Sequence, residues 1–115
     1  MRKFIVDENF WKIFPTAKIA VLTVKNVKEF VQLDEKSATE IKQLLDDANK
    51  KAKKYLPSDV ISENPVIRVW REAYAKFPTK KGARCSIESL LKRVLHDHPV
   101  KTIAPTVDIT NAISL

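Results

Sequence analysis

Lys18-Ile19-Ala20-Val21-Leu22-Thr23-Val24 is the stretch on which the fold class turns. It is rich in β-branched residues, almost continuously apolar, and too short for a typical helix. Such a run suits a strand buried on both faces, as in a sheet covered by helices. Phe4-Ile5-Val6, with a charged residue on either side, reads as an opening or edge strand. Between them, Asp7 can cap a short helix running to Phe14, with Glu8 favourable at its positive end. Phe10, Trp11, Ile13 and Phe14 are the apolar positions of that helix, and Pro15 stops it.

C-terminal to this stretch the periodicity turns helical. Ser37 and Glu40 have capping-box spacing. Ile41, Leu44, Leu45, Ala48, Ala52 and Tyr55 then recur at three- and four-residue steps, one face of a long helix. Lys50, Lys51, Lys53 and Lys54 crowd its last turns. They either complement the helix dipole or form a phosphate-contacting patch. Pro57 closes the helix. Asn64-Pro65 starts the next one, with Asn as cap and Pro at the first helical position. Its apolar stripe is Val66, Val69, Trp70, Ala73, Tyr74 and Phe77. A basic loop follows, Pro78 to Arg84, with the only glycine, Gly82, at a turn. Ser86 caps a helix whose buried face is Ile87, Leu90, Leu91, Val94 and Leu95. Thr106 can cap a last helix burying Val107, Ile109, Ala112 and Ile113. The expected fold class is therefore α/β (α+β): helices packed on a small mixed sheet.

The chain has 115 residues, the size of one domain, and 44% of them are hydrophobic, enough for a core. Its 21 Lys+Arg against 14 Asp+Glu leave a net charge of +7, which favours anionic partners without specifying one. A single glycine excludes a Walker loop and a dinucleotide fingerprint, both of which need several glycines at the phosphates. A single cysteine excludes an internal disulfide and a CxxC zinc site. No apolar run approaches a membrane span, and the N-terminus lacks the apolar core of a secretory signal. A cytoplasmic location is expected.

Four arginines, Arg68, Arg71, Arg84 and Arg93, fall between residues 68 and 93. Guanidinium forks match carboxylate and phosphate oxygens in pairs. With Lys80 and Lys81, residues Arg68, Arg71 and Arg84 are the candidate RNA-phosphate contacts. The competing reading pairs the arginines with Glu72 and Glu88 as structural ion pairs. His96-Asp97-His98 lacks a third separated ligand, so a solvated helix end explains it better than a metal site. Cys85 has no sequence-adjacent base and reads as a small buried residue. Trp70 and Tyr74 could stack bases, but their spacing matches the core stripe.

Three segments in order carry a family resemblance. They are Asn64-Pro65-Val66-Ile67-Arg68-Val69-Trp70-Arg71-Glu72-Ala73-Tyr74; Arg84-Cys85-Ser86-Ile87-Glu88-Ser89-Leu90-Leu91-Lys92-Arg93-Val94-Leu95; and Ile103 through Leu115. Together they resemble the editing and tRNA-binding B-three/four domain of the bacterial phenylalanyl-tRNA synthetase beta chain, in particular its free-standing relatives. The resemblance implies an α/β domain that binds tRNA and, when complete, hydrolyses mischarged aminoacyl-tRNA. No cofactor and no DNA partner are expected. Domains of this family are longer, and their editing residues have no counterpart here, so no catalytic residue carries over. The chain is expected to be the N-terminal part of such a domain. Glu88, Asp108 and Asn111 are the residues the resemblance places in the pocket framework. The alternative is a non-catalytic interaction domain whose apolar stripes dock a protein partner or a second copy.

Overall fold

The computed structural model describes residues 2–26 and 33–115. The chain falls into two compact units that divide between residues 31 and 32. In the first, helix α1 spans Glu8–Ile13. Asp7 caps it as expected, its side chain accepting from the Asn9 N–H at 2.8 Å. The ring of Phe10 stacks edge-on against Trp11 (centroids 5.1 Å apart) and tilts against Phe14 at 5.4 Å.

The expected sheet is absent. Among the described residues there is no strand, and the α/β (α+β) fold class is corrected to all-helical. Phe4–Val6 and Lys18–Val24 have no regular structure. Val21, Leu22 and Val24 are 59%, 88% and 64% exposed, the reverse of a strand covered on both faces. The physical reason is that β-branched residues favour a strand only where a neighbour satisfies its N–H and C=O groups. Among the described residues, neither segment finds such a neighbour.

The second unit contains α2 (Glu35–Ala52), α3 (Pro65–Tyr74), α4 (Ser86–Leu95) and α5 (Pro105–Ser114). Single 3-10 turns lie at Lys53–Tyr55 and Ile61–Glu63. Helix α2 packs chiefly on α5, and α4 touches α2, α5 and the second 3-10 turn. The core is built from Ala52, Ile67, Leu91 and Val94, with Leu56, Ile61, Val66, Ile87 and Leu115 packed against it.

The helix starts differ in detail from the sequence reading. Asp34, not Ser37, caps α2, accepting from the Ser37 N–H at 2.7 Å. That bond holds the Asp34 carboxyl below its ordinary range, with the Ser37 hydroxyl as the second cause. Cys85, not Ser86, is the cap residue of α4. Stripes are also rotated. Ile67 is fully buried on α3, while Val69 is 64% exposed and Trp70 is half exposed. On α5 the buried residue is Asp108, whereas Val107, Ile109 and Ile113 are exposed. The cause is polar: four buried polar side chains, Asn49, Asn64, Glu88 and Asp108, each tie the chain to itself.

Asn49 pairs with Val100 as a strand neighbour would. Its Nδ2 donates to the Val100 carbonyl at 3.0 Å, and its Oδ1 accepts the Val100 N–H at 2.8 Å. Asn64 accepts the Ser58 N–H and donates to the Ser58 and Val60 carbonyls, closing the loop before α3. Asp108 reaches back to accept the Ile103 N–H at 2.8 Å, which fixes the entry to α5. Among the described residues no buried side-chain nitrogen or oxygen lacks a partner. Of the lysine run, Lys53 bonds Asp97 and Lys54 lies over the Tyr55 ring.

Two expectations follow. Asn49→Ala strands both backbone groups of buried Val100 and should cost about 2–6 kcal/mol in urea unfolding, the sum of two desolvated groups; an unchanged midpoint would show that water replaces the amide. Because the Asp34 carboxyl is depressed by its cap bond, its contribution is present above the ordinary carboxylate range and is lost as pH falls through the lowered value. Asp34→Asn should therefore flatten that acid limb, and an unaltered limb would count against the cap.

Candidate functional site

Helix α3, the loop after it and the first turn of α4 form a groove of about 270 Å³. Helix α3 contributes Trp70, Arg71 and Tyr74, the loop Thr79, Ala83 and Arg84, the cap position of α4 Cys85, and α4 itself Glu88. The loop turns at Gly82, whose φ of +82° lies in the left-handed region that glycine enters without strain. A bond of 3.0 Å from the Ala83 N–H to the Lys80 carbonyl closes that turn. Arg84 emerges from it facing α4.

Glu88 is the centre of the groove. Its side chain is 6% exposed, and Arg71 grips it two-pronged: Nη2 to Oε1 at 2.7 Å and Nε to Oε2 at 3.2 Å. The Arg84 Nε lies 3.6 Å from the same Oε1, and its Nη1 donates to the Ala83 carbonyl at 2.7 Å. The hydrogen bond to Glu88 raises the Arg71 guanidinium above its ordinary value, and partial burial opposes this. Two guanidiniums on one carboxylate leave the groove with one excess positive charge. Trp70, half exposed, and Tyr74, packed on Phe77 with centroids 5.5 Å apart, supply an aromatic wall. The arrangement can hold an anion beside a planar group. It offers no free general base, because both Glu88 oxygens are engaged, and no histidine lines it.

The five candidate RNA contacts divide. Arg71 and Arg84 meet in the groove but are committed to Glu88. Arg68, Lys80 and Lys81 are exposed, and none forms an ion pair among the described residues. The three framework candidates also divide. Glu88 lines the groove, whereas Asp108 and Asn111 sit on α5 outside its lining. Asp108 organises the 103–108 turn, and Asn111 is half buried with its carbonyl accepting the Leu115 N–H. Trp70 is the residue the sequence reading misplaced. Its signal was local: Val69 lies opposite Ile67 on α3, and Trp70 sits at the border between the buried side and solvent, next to Arg71 in the groove. Cys85 is a free, buried thiol. Among the described residues, no group of His, Cys, Asp or Glu could hold a metal ion.

No family model, no curated protein and no solved structure matches this chain. The functional reading therefore rests on the site and on the sequence resemblance.

Geometry ranks the two arginines. In double-mutant cycles to alanine, the Arg71–Glu88 coupling should be about 1–3 kcal/mol, below that of a fully buried pair because water reaches Arg71. The more exposed and longer Arg84–Glu88 contact should couple by less than about 1 kcal/mol. Equal couplings would show that the carboxylate is shared rather than held by Arg71.

Proposed function

We propose that the chain is an RNA-binding module, with tRNA as its partner, of the kind its resemblance to the phenylalanyl-tRNA synthetase editing domain implies. The observation that carries this reading is the set of cations that form no ion pair among the described residues, Arg68, Lys80 and Lys81, on the helix and loop that wall the aromatic groove. Cations without carboxylate partners are available to phosphates, and phosphate contacts supply most of the sequence-independent affinity for nucleic acids. The partly exposed Trp70 in the groove suits a stacked base, since every base presents a π-face. The role proposed is binding; hydrolysis of mischarged tRNA is assigned to no residue of this chain. A cytoplasmic location accompanies the proposal. Among the described residues, no helix is long and apolar enough to cross a membrane.

One observation favours a second reading, in which an apolar face docks a protein or a second copy. Ile103 and Ile113 are 73% and 80% exposed, and Ile109 lies one turn before Ile113 on α5. If a second copy covers that face, sedimentation will show a concentration-dependent dimer that Ile113→Glu abolishes. A monomer at every concentration would remove self-association.

For the first reading the test is tRNA binding by fluorescence anisotropy across a salt series. Affinity should fall linearly on a double-logarithmic plot. Replacing Arg68, Lys80 and Lys81 together with glutamine should lower the slope by about 2, near 0.7 per lost contact on single-stranded segments. A salt-independent signal would exclude phosphate binding.

A further inference from the structure

A second groove, of about 620 Å³, lies at the other end of α4. It is lined by Lys92, Arg93 and Lys101, by His96 and His98, and by one carboxylate, Asp97. That carboxylate is partnered by Lys53 on the turn after α2, at 3.3 Å. Lys92, Arg93 and Lys101 are exposed and form no ion pair among the described residues. Three permanent positive charges thus converge on a concavity whose single negative charge is already neutralised. Such a cleft focuses positive potential and draws anions.

The structural explanation for cations at a helix end is that they serve its last carbonyls. Here backbone groups do that instead. The His96 N–H bonds the Lys92 carbonyl at 3.2 Å, the Asp97 N–H bonds Val94 at 3.2 Å, and the His98 N–H bonds Arg93 at 2.9 Å. Asp97, with a φ of 55°, takes the left-handed position of this closing motif. Lys101 lies beyond the helix altogether. The cations are therefore not consumed by the helix end.

The two grooves are in register. Cys85 and Glu88 line the first, and Ser89, Lys92 and His96 line the second. At 3.6 residues per turn these five positions fall on one face of α4, buried at Cys85 and Glu88 and exposed at Ser89, Lys92 and His96, and Glu88 to His96 covers about 12 Å. One helix face thus runs from the aromatic groove to the cationic one.

We infer that the groove at the C-terminal end of α4 holds the phosphodiester backbone of a single RNA strand that follows the α4 face from the Trp70 groove. The inference rests on the RNA-binding reading above. Its ligand is a run of phosphates, held by point charges rather than read by sequence.

The test uses the full chain and a labelled single-stranded RNA oligonucleotide, with binding measured across a salt series. Lys92→Gln/Lys101→Gln changes two exposed residues and should lower the salt slope by about 1.4 and weaken binding at low salt. Lys36→Gln/Lys42→Gln removes the same net charge from the first turns of α2 and should leave the slope near the wild-type value. If the Lys92/Lys101 variant keeps the wild-type slope while the Arg68/Lys80/Lys81 variant loses it, the second groove is excluded and the first reading stands. If the Lys36/Lys42 variant falls as far, net charge alone is responsible and the groove is excluded. If the wild-type chain shows no salt-dependent binding, both readings fail.

Discussion

The buried carboxylate of Glu88 is the constraint on which the α3–α4 face depends. Its side chain is almost wholly withdrawn from water, so its charge must be met by protein groups. Arg71 meets it with two parallel bonds, which fix the rotation of α3 against α4 as well as their separation. Once that rotation is set, Ile67 is directed inward and Trp70 outward. Arg84 adds a weaker third contact and closes the wall of the groove. The ion pair thus shapes the groove and leaves it with a surplus positive charge.

The same principle recurs through the second unit. Asn49, Asn64 and Asp108 each bury a polar side chain to satisfy backbone groups of an irregular segment. The segments 56–60 and 96–104 are irregular, and among the described residues their N–H and C=O groups have no sheet to enter. Side chains take the place of neighbouring strands. The apolar core that remains is small, with Ala52, Ile67, Leu91 and Val94 at its centre, so these polar ties carry a large share of the specification.

Helices were legible in the sequence because their signals are local. Asp7 ahead of α1, Pro65 inside α3 and the four-residue steps of Leu91 and Leu95 act within a few residues of themselves. The Lys18–Val24 run was misread for the converse reason. A strand is a relation between two segments, and β-branched residues say nothing about whether a partner exists. The stripe on α3 was misjudged because hydrophobicity alone was counted; the face that carries Ile67 and the Arg71 ion pair is the buried one, which leaves Val69 in solvent and Trp70 at the border. The site residues were legible as types, since Arg68, Arg71, Lys80, Lys81, Arg84 and Glu88 all stood out. Their division into committed and unpaired cations required distances.

The functional account joins these elements into one surface. The aromatic groove at the start of α4 and the cationic groove at its end lie along one helix, and α3 and its loop add cations that form no ion pair among the described residues. The measurement that tests this most directly is backbone amide chemical-shift mapping while single-stranded RNA is titrated into the isotopically labelled chain. The account predicts shifts concentrated at Arg68, Trp70, Lys80, Lys81 and along α4 to Lys101, with the exposed face of α5 unchanged. Shifts confined to Ile109 and Ile113, or no shifts at low salt, would contradict it.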